Sequence, residues 1–258
     1  MKKMILALAA AAAFSGSAFA ADLPARTYTK APMMPVAQSW TGFYIFGGAG
    51  GGVWDADSHQ YNNVTGTNLT NSQRTGGDGW FGTVGAGYDM QFSSSWVAGV
   101  FADGQFGSLR GTLNGLALAG TEKLKDSWAA GARLGYLVAP NVYSYVNAGF
   151  TQSYWSGSQL SDLAGATTPA STSSFHRNGW FVGGGVENNL NIFGISAPGW
   201  FMKTEYRAAY YNTANLTEID NATGALTNIN TTFKPMVQTV TTSLVYRFNW
   251  NGPVVAKY

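Results

Sequence analysis

No cysteine occurs in the 258 residues, which excludes a disulfide framework, a thiolate metal site and a cysteine nucleophile. Charge is also scarce: Asp, Glu, Lys and Arg together make 11%, where soluble domains average about a quarter. The two histidines, His59 and His176, are far apart in sequence and make a poor metal site. Past the N-terminus no segment approaches 18 consecutive apolar residues, so no transmembrane helix is predicted. The glycine run Gly47 to Gly52 has neither the spacing of a dinucleotide loop nor a following Lys-Ser/Thr, which rejects a phosphate loop.

The first twenty residues read as a secretory signal, with Lys2 and Lys3 charged, Met4 to Phe14 apolar and Ala18-Phe19-Ala20 as the cleavage site. Cleavage would remove two of 15 basic residues and leave 13 against 13 acidic ones. A neutral mature chain gives no reason to expect a nucleic-acid partner. Residues 21–39 carry Pro24, Pro32 and Pro35 without apolar periodicity and are expected to form a periplasmic linker.

What the chain does have is aromatics, at 14%, and glycine, at 33 residues. Each of the nine tryptophans lies near an end of a segment with period-two alternation. Trp40, Trp96, Trp200 and Trp250 fall at one set of ends; Trp54, Trp80, Trp128, Trp155 and Trp180 fall at the other. Tryptophan prefers the membrane–water boundary, and two girdles one strand apart are what a transmembrane barrel requires. The pattern predicts an all-β, eight-stranded antiparallel up-and-down barrel over residues 40–250, with lipid outside and a polar interior. Strands are expected at 40–54, 80–92, 96–106, 127–138, 142–155, 179–190, 200–212 and 237–250. Four long links between them are read as outer loops; Ser93–Ser95 and Ala139–Asn141 are read as tight periplasmic turns.

The charged residues on the narrow faces of these strands are Asp89, Asp103, Arg133, Glu187, Lys203, Glu205, Arg207 and Arg247. Four acids and four bases at similar height can pair completely, as a narrow lumen demands. Eight strands leave an interior just wide enough for side chains. Lumen glycines such as Gly85, Gly87, Gly131, Gly149 and Gly185 are expected to leave room for water, and Phe101, Phe181, Phe201 and Tyr211 to plug it. Both histidines fall in predicted loops, where a catalytic site lacks a rigid scaffold, so no enzyme and no cofactor is expected. The leading reading is a structural envelope protein displaying surface loops. A small porin, and loop-mediated adhesion or haem capture, are the alternatives. Outer-membrane lipids and lipopolysaccharide, and the barrel-assembly machinery during biogenesis, are the expected partners.

Ala21-Asp22-Leu23-Pro24, Trp40-Thr41-Gly42-Phe43-Tyr44, Lys203-Thr204-Glu205-Tyr206-Arg207 and Tyr246-Arg247-Phe248-Asn249-Trp250 resemble the alphaproteobacterial Omp25/Omp31-like outer-membrane proteins. The resemblance spans nearly the whole chain and implies a porin-like eight-stranded barrel in the outer membrane. Some members are linked to haem binding or host contact, but the loops here show no motif for either. The terminal aromatic Tyr258 fits an assembly signal, on a 251–258 tail that Pro253 separates from the last strand.

Overall fold

The computed structural model describes residues 39–114, 118–162, 164–165, 167–192 and 195–248. The predicted signal peptide, linker residues 21–38, Trp250, and the tail with Tyr258 lie outside the described residues. The strands are β1 (Gly42–Asn62), β2 (Gln73–Gln91), β3 (Trp96–Asn114), β4 (Leu118–Ala139), β5 (Val142–Ser156), β6 (Gln159–Asp162), β7 (Ala170–Thr172), β8 (Phe175–Ile192), β9 (Ile195–Tyr211), β10 (Ala214–Asp220) and β11 (Leu226–Arg247).

Eight of these form an antiparallel ring in the order β1-β2-β3-β4-β5-β8-β9-β11, and β1 pairs with β11 from Tyr44↔Arg247 to Asn62↔Ile229 to close it. Closure pairs the backbone of every wall strand on both sides, which hydrocarbon requires. Val84, Leu134 and Leu244 point outwards, and Glu205 and Arg207 point inwards.

Exposed aromatics mark two levels. The lower girdle contains Phe43 against Tyr88, Trp96 against Tyr136, and Trp200 against Tyr246. The upper one contains Trp80, Trp128 against Phe150, and Trp180 against Tyr210. Trp80 and Tyr88 are eight residues apart on β2, which at ~3.3 Å per residue and ~45° tilt is roughly 19 Å of height. That fits the apolar band of an outer-membrane barrel. The tight turns and both ends of the ring lie below the lower girdle, on the side such barrels turn to the periplasm.

The strands do not stop at the upper girdle. Most of the predicted outer loops are strand: β1, β2, β3, β4 and β11 continue upwards, and β6, β7 and β10 form from the remainder. Above the girdle β4 leaves β5 and pairs with β6, which leads through β7 and β10 back to β11. The extension is thus a second closed ring of eight, with β6, β7 and β10 replacing β5, β8 and β9. Its hairpin tips are tight. The Asn62 side chain accepts the Val64 and Thr65 N–H, and Asp220 accepts those of Ala222 and Thr223. Gly66 (φ +72°) and Gly224 (φ +71°) supply the left-handed residue these turns need.

The sequence hid this extension for a physical reason. Within the membrane β1 turns Phe43 and Ile45 outwards; above it the outward residues are Asp55, Asp57 and His59, while Trp54, Ala56 and Ser58 face in. β11 switches likewise, from outward Val240 and Leu244 to outward Thr232 and Lys234. On both strands side chains keep their period of two, but the apolar phase reverses once the outer solvent changes from lipid to water; on β4 a bulge between Leu124 and Asp126 shifts the inward parity as well.

Candidate functional site

The lumen is the site the eight predicted charges share, and the fold brings all eight into it, each side chain nearly or fully buried. They form two layers. In the lower one Arg133 binds Asp89 through two nitrogens and Glu187 through a third, at 2.9, 2.5 and 3.2 Å. Arg247 closes the circuit, with Nη2 at 2.8 Å from both Asp89 and Glu187. The four residues come from β2, β4, β8 and β11, alternate strands of the ring, so the two carboxylates face each other across the lumen and so do the two guanidiniums. In the upper layer Arg207 on β9 spans the diameter to Asp103 on β3 (2.7 Å) and also holds Glu205 (2.8 Å). Lys203 lies 3.7 Å from Glu205, which also accepts from the Tyr145 hydroxyl.

Aromatic rings fill the space between these charges. Arg133 lies over Tyr44, Tyr143 and Tyr145; Lys203 over Phe46; and Arg207 over Phe101 and Phe181. Cation–π contacts of this sort gain strength where water is excluded. The lumen glycines accommodate these rings, contrary to the expectation of spare volume. A Cβ at Gly85 would strike Phe46, at Gly87 Tyr44, at Gly131 and Gly149 Phe181, and at Gly185 Tyr145. Phe101, Phe181, Phe201 and Tyr211 are buried in the same interior.

Three predicted girdle tryptophans are not in a girdle. Trp40 sits inside the lower mouth, packed on Tyr143 and Phe201 under the Arg247 guanidinium. Its indole N–H donates to the Pro140 carbonyl, and its own carbonyl accepts from Arg247. Trp54 (2% exposed) and Trp155 (0%) lie inside the upper extension, where they meet edge to face at 5.3 Å and both pack on Phe233. Leu109, Leu113, Leu124, Leu160 and Leu216 complete a buried apolar cap. Nearness to a strand end does not fix the face a residue occupies; parity does. Trp54 shares its parity with inward Tyr44 and Phe46, and Trp155 with inward Tyr143 and Tyr145. Trp80, Trp96, Trp128, Trp180 and Trp200 do point outwards.

Two buried acids escaped the sequence reading, Glu122 on β4 and Glu218 on β10, both within the cap's extension. Glu122 accepts from Ser158 and from the Lys123 backbone; Glu218 accepts from the Gln60 amide. Neither has a cation within ion-pair distance among the described residues. Burial therefore pushes the Glu122 carboxyl up to about 7 and raises that of Glu218. On β4 the outward Lys123 and Lys125 around buried Leu124 carry the alternation that places Glu122 inward; Glu218 on β10 has no such row beside it. His59 and His176, expected on loops, lie on β1 and β8 on the outer wall, His176 tilted against Tyr154 with ring centroids 4.7 Å apart.

The closed antiparallel ring, its lipid-facing apolar belt and its polar interior agree with the sequence, which matches the outer membrane protein β-barrel domain family over residues 6–248. The chain belongs to that family. It is of the Omp25/Omp31 type and integral to the outer membrane. The 31 kDa outer-membrane immunogenic proteins of Brucella melitensis biotype 1 and Brucella suis biovar 1 are each 31% identical over 230 residues, covering 86% of this chain and 92% of theirs. Among solved structures, the outer membrane protein OprG from Pseudomonas aeruginosa shares the fold, with a TM-score of 0.57 at 10% identity over 82% of this chain and 99% of that one.

Proposed function

We propose that this protein is a non-conducting structural barrel that supports envelope integrity and displays a rigid, closed set of surface hairpins. The carrying observation is the Arg133–Asp89–Arg247–Glu187 circuit, whose members from alternate strands occupy the lumen cross-section. An ion would have to break it, then pass Arg207–Asp103 and the Trp54–Trp155–Phe233 cap. Each buried pair opened would leave charges unbalanced at a cost of about 3–5 kcal/mol. Substrate chemistry has no foothold in the lumen in this reading, since its eight charges are bound to one another.

The relatives' description as immunogenic supports surface exposure of the hairpins here too. Outer-membrane lipids against the aromatic girdles, lipopolysaccharide around the extension, and the barrel-assembly machinery during insertion are the partners this reading calls for. Planar-bilayer recording of the purified protein tests it: current should stay at baseline. Discrete conductance steps from the unmodified barrel would replace it with the small-porin reading.

A further inference from the structure

A polar pocket of about 560 Å³ opens on the outer wall of the extension, lined by His59, Asn68, Leu69, Thr70, Asn71 and Ser72. We infer that it binds an uncharged sugar of a glycolipid in the leaflet that surrounds the barrel. The pocket is held in shape by the wall itself. The β1–β2 connection folds back on β1, with the Leu69 and Thr70 N–H donating to the Gln60 carbonyl and the Gln60 N–H donating to Thr70 Oγ1.

The imidazole is equally fixed. Thr232 Oγ1 accepts from the His59 backbone N–H and lies 2.8 Å from His59 Nδ1, which holds the ring in place and leaves Nε2 to donate or accept according to the tautomer. The Asn68, Asn71 and Ser72 side chains have no hydrogen-bond partner among the described residues. Two amides, hydroxyls and an imidazole nitrogen match the mixed donors and acceptors of sugar hydroxyls, with Tyr61 beside His59. No Lys, Arg, Asp or Glu lines the pocket, which disfavours a phosphate or a sugar acid.

Position selects the source of the sugar. Gly51 pairs with Trp80 at the upper girdle, and His59 lies eight residues further along β1. At ~3.3 Å per residue and ~45° tilt the pocket stands roughly 19 Å above that girdle, where the sugars of a surrounding glycolipid lie. Anchorage in the same membrane gives those sugars a high effective concentration, so a shallow pocket of modest intrinsic affinity is occupied.

With two histidines in the chain, imidazole NMR reads the site directly, His59 being assigned with a His176→Gln variant. The full barrel is placed in nanodiscs of phospholipid alone or with rough-type lipopolysaccharide, and separately titrated with the oligosaccharide released from that glycolipid by mild acid. The inference expects the His59 resonance to shift with intact glycolipid, and the shift to vanish in an Asn68→Ala/Asn71→Ala variant that still shows heat-modifiable migration. An unmoved His59 in glycolipid discs overturns it. So does a shift that survives the double substitution. A shift with free oligosaccharide but none with glycolipid also overturns it, by assigning the pocket to a soluble glycan. Bilayer conductance bears on none of these outcomes, so this inference and the sealed-lumen reading fail separately.

Discussion

Replacing Glu122 by Gln should stabilise this barrel at alkaline pH, although it removes a buried carboxylate. Glu122 is fully buried, accepts from Ser158 and the Lys123 N–H, and faces no cation at ion-pair distance among the described residues. Burial lifts its carboxyl from 4.5 to about 7, so the folded state holds a proton that the unfolded chain releases. The sign follows from proton binding. Stability is complete below the ordinary carboxylate range, falls as pH rises from about 4.5 to about 7, and is flat above. At about 1.4 kcal/mol per pH unit, the loss is roughly 3 kcal/mol. Gln keeps the size and an acceptor for Ser158 but never ionises. Urea unfolding in lipid vesicles between pH 5 and pH 8, followed by tryptophan fluorescence, should show the native protein weakening with pH. The Glu122→Gln variant should weaken less, retaining only the share due to Glu218, whose carboxyl burial also raises. A native barrel equally stable at pH 5 and pH 8, or a Gln variant weaker than native at pH 8, would refute the argument.

Two further substitutions probe the lumen. Arg133→Ala leaves Asp89 and Glu187 with Arg247 as their remaining partner, and should cost about 3–5 kcal/mol of unfolding free energy in the same vesicle assay; a change under 1 kcal/mol would show that water screens the circuit. Trp155→Ala removes the ring that packs on Trp54, Phe175 and Phe233. It should cost about 3–5 kcal/mol yet leave the bilayer silent, because the charge layers below stay closed; conductance steps would make the cap the barrier instead.

The parts of the fold legible in the sequence were those where lipid and lumen differ in an unbroken row. From Thr83 to Phe92 small or polar residues alternate with apolar ones without interruption, and face, length and girdle could all be read. Lys203, Glu205 and Arg207 at period two were equally plain, and the structure has them on one inward face of β9. β1 was blurred because glycines occupy both faces, so the inward parity of Trp54 was lost. Strands β6, β7 and β10 were illegible because they are short and lie in water. There Leu216 and Glu218 face in together, and neither an apolar stripe nor a charge stripe emerges. Which acid meets which base also lay beyond the sequence. Asp89 and Glu187 sit in one layer through the registers of four different strands, and no local spacing encodes that.

The reversal of phase at the upper girdle also fixes how deep the barrel sits. On β1 the outward row changes from Ile45 and Val53 to Asp55 and Asp57, and on β2 the outward Trp80 is followed upwards by Asp78 and Arg74. Sinking by two residues along the strands would carry Asp55 and Asp78 towards hydrocarbon, and rising by as much would lift Val84 and Val240 towards water. On the lipid face a basic residue such as Arg74 costs about 2–4 kcal/mol at the midplane, an acid less, and either little near the interface, so the penalty grows with each step of sinking, while rising exposes apolar side chains to water. Inside, the charge circuit links β2, β4, β8 and β11 only in the observed register, because a slip of one residue turns every side chain of a strand to the opposite face. Depth is therefore set by the outer row and register by the inner one. The same residues that fill the lumen make the register of the wall unique.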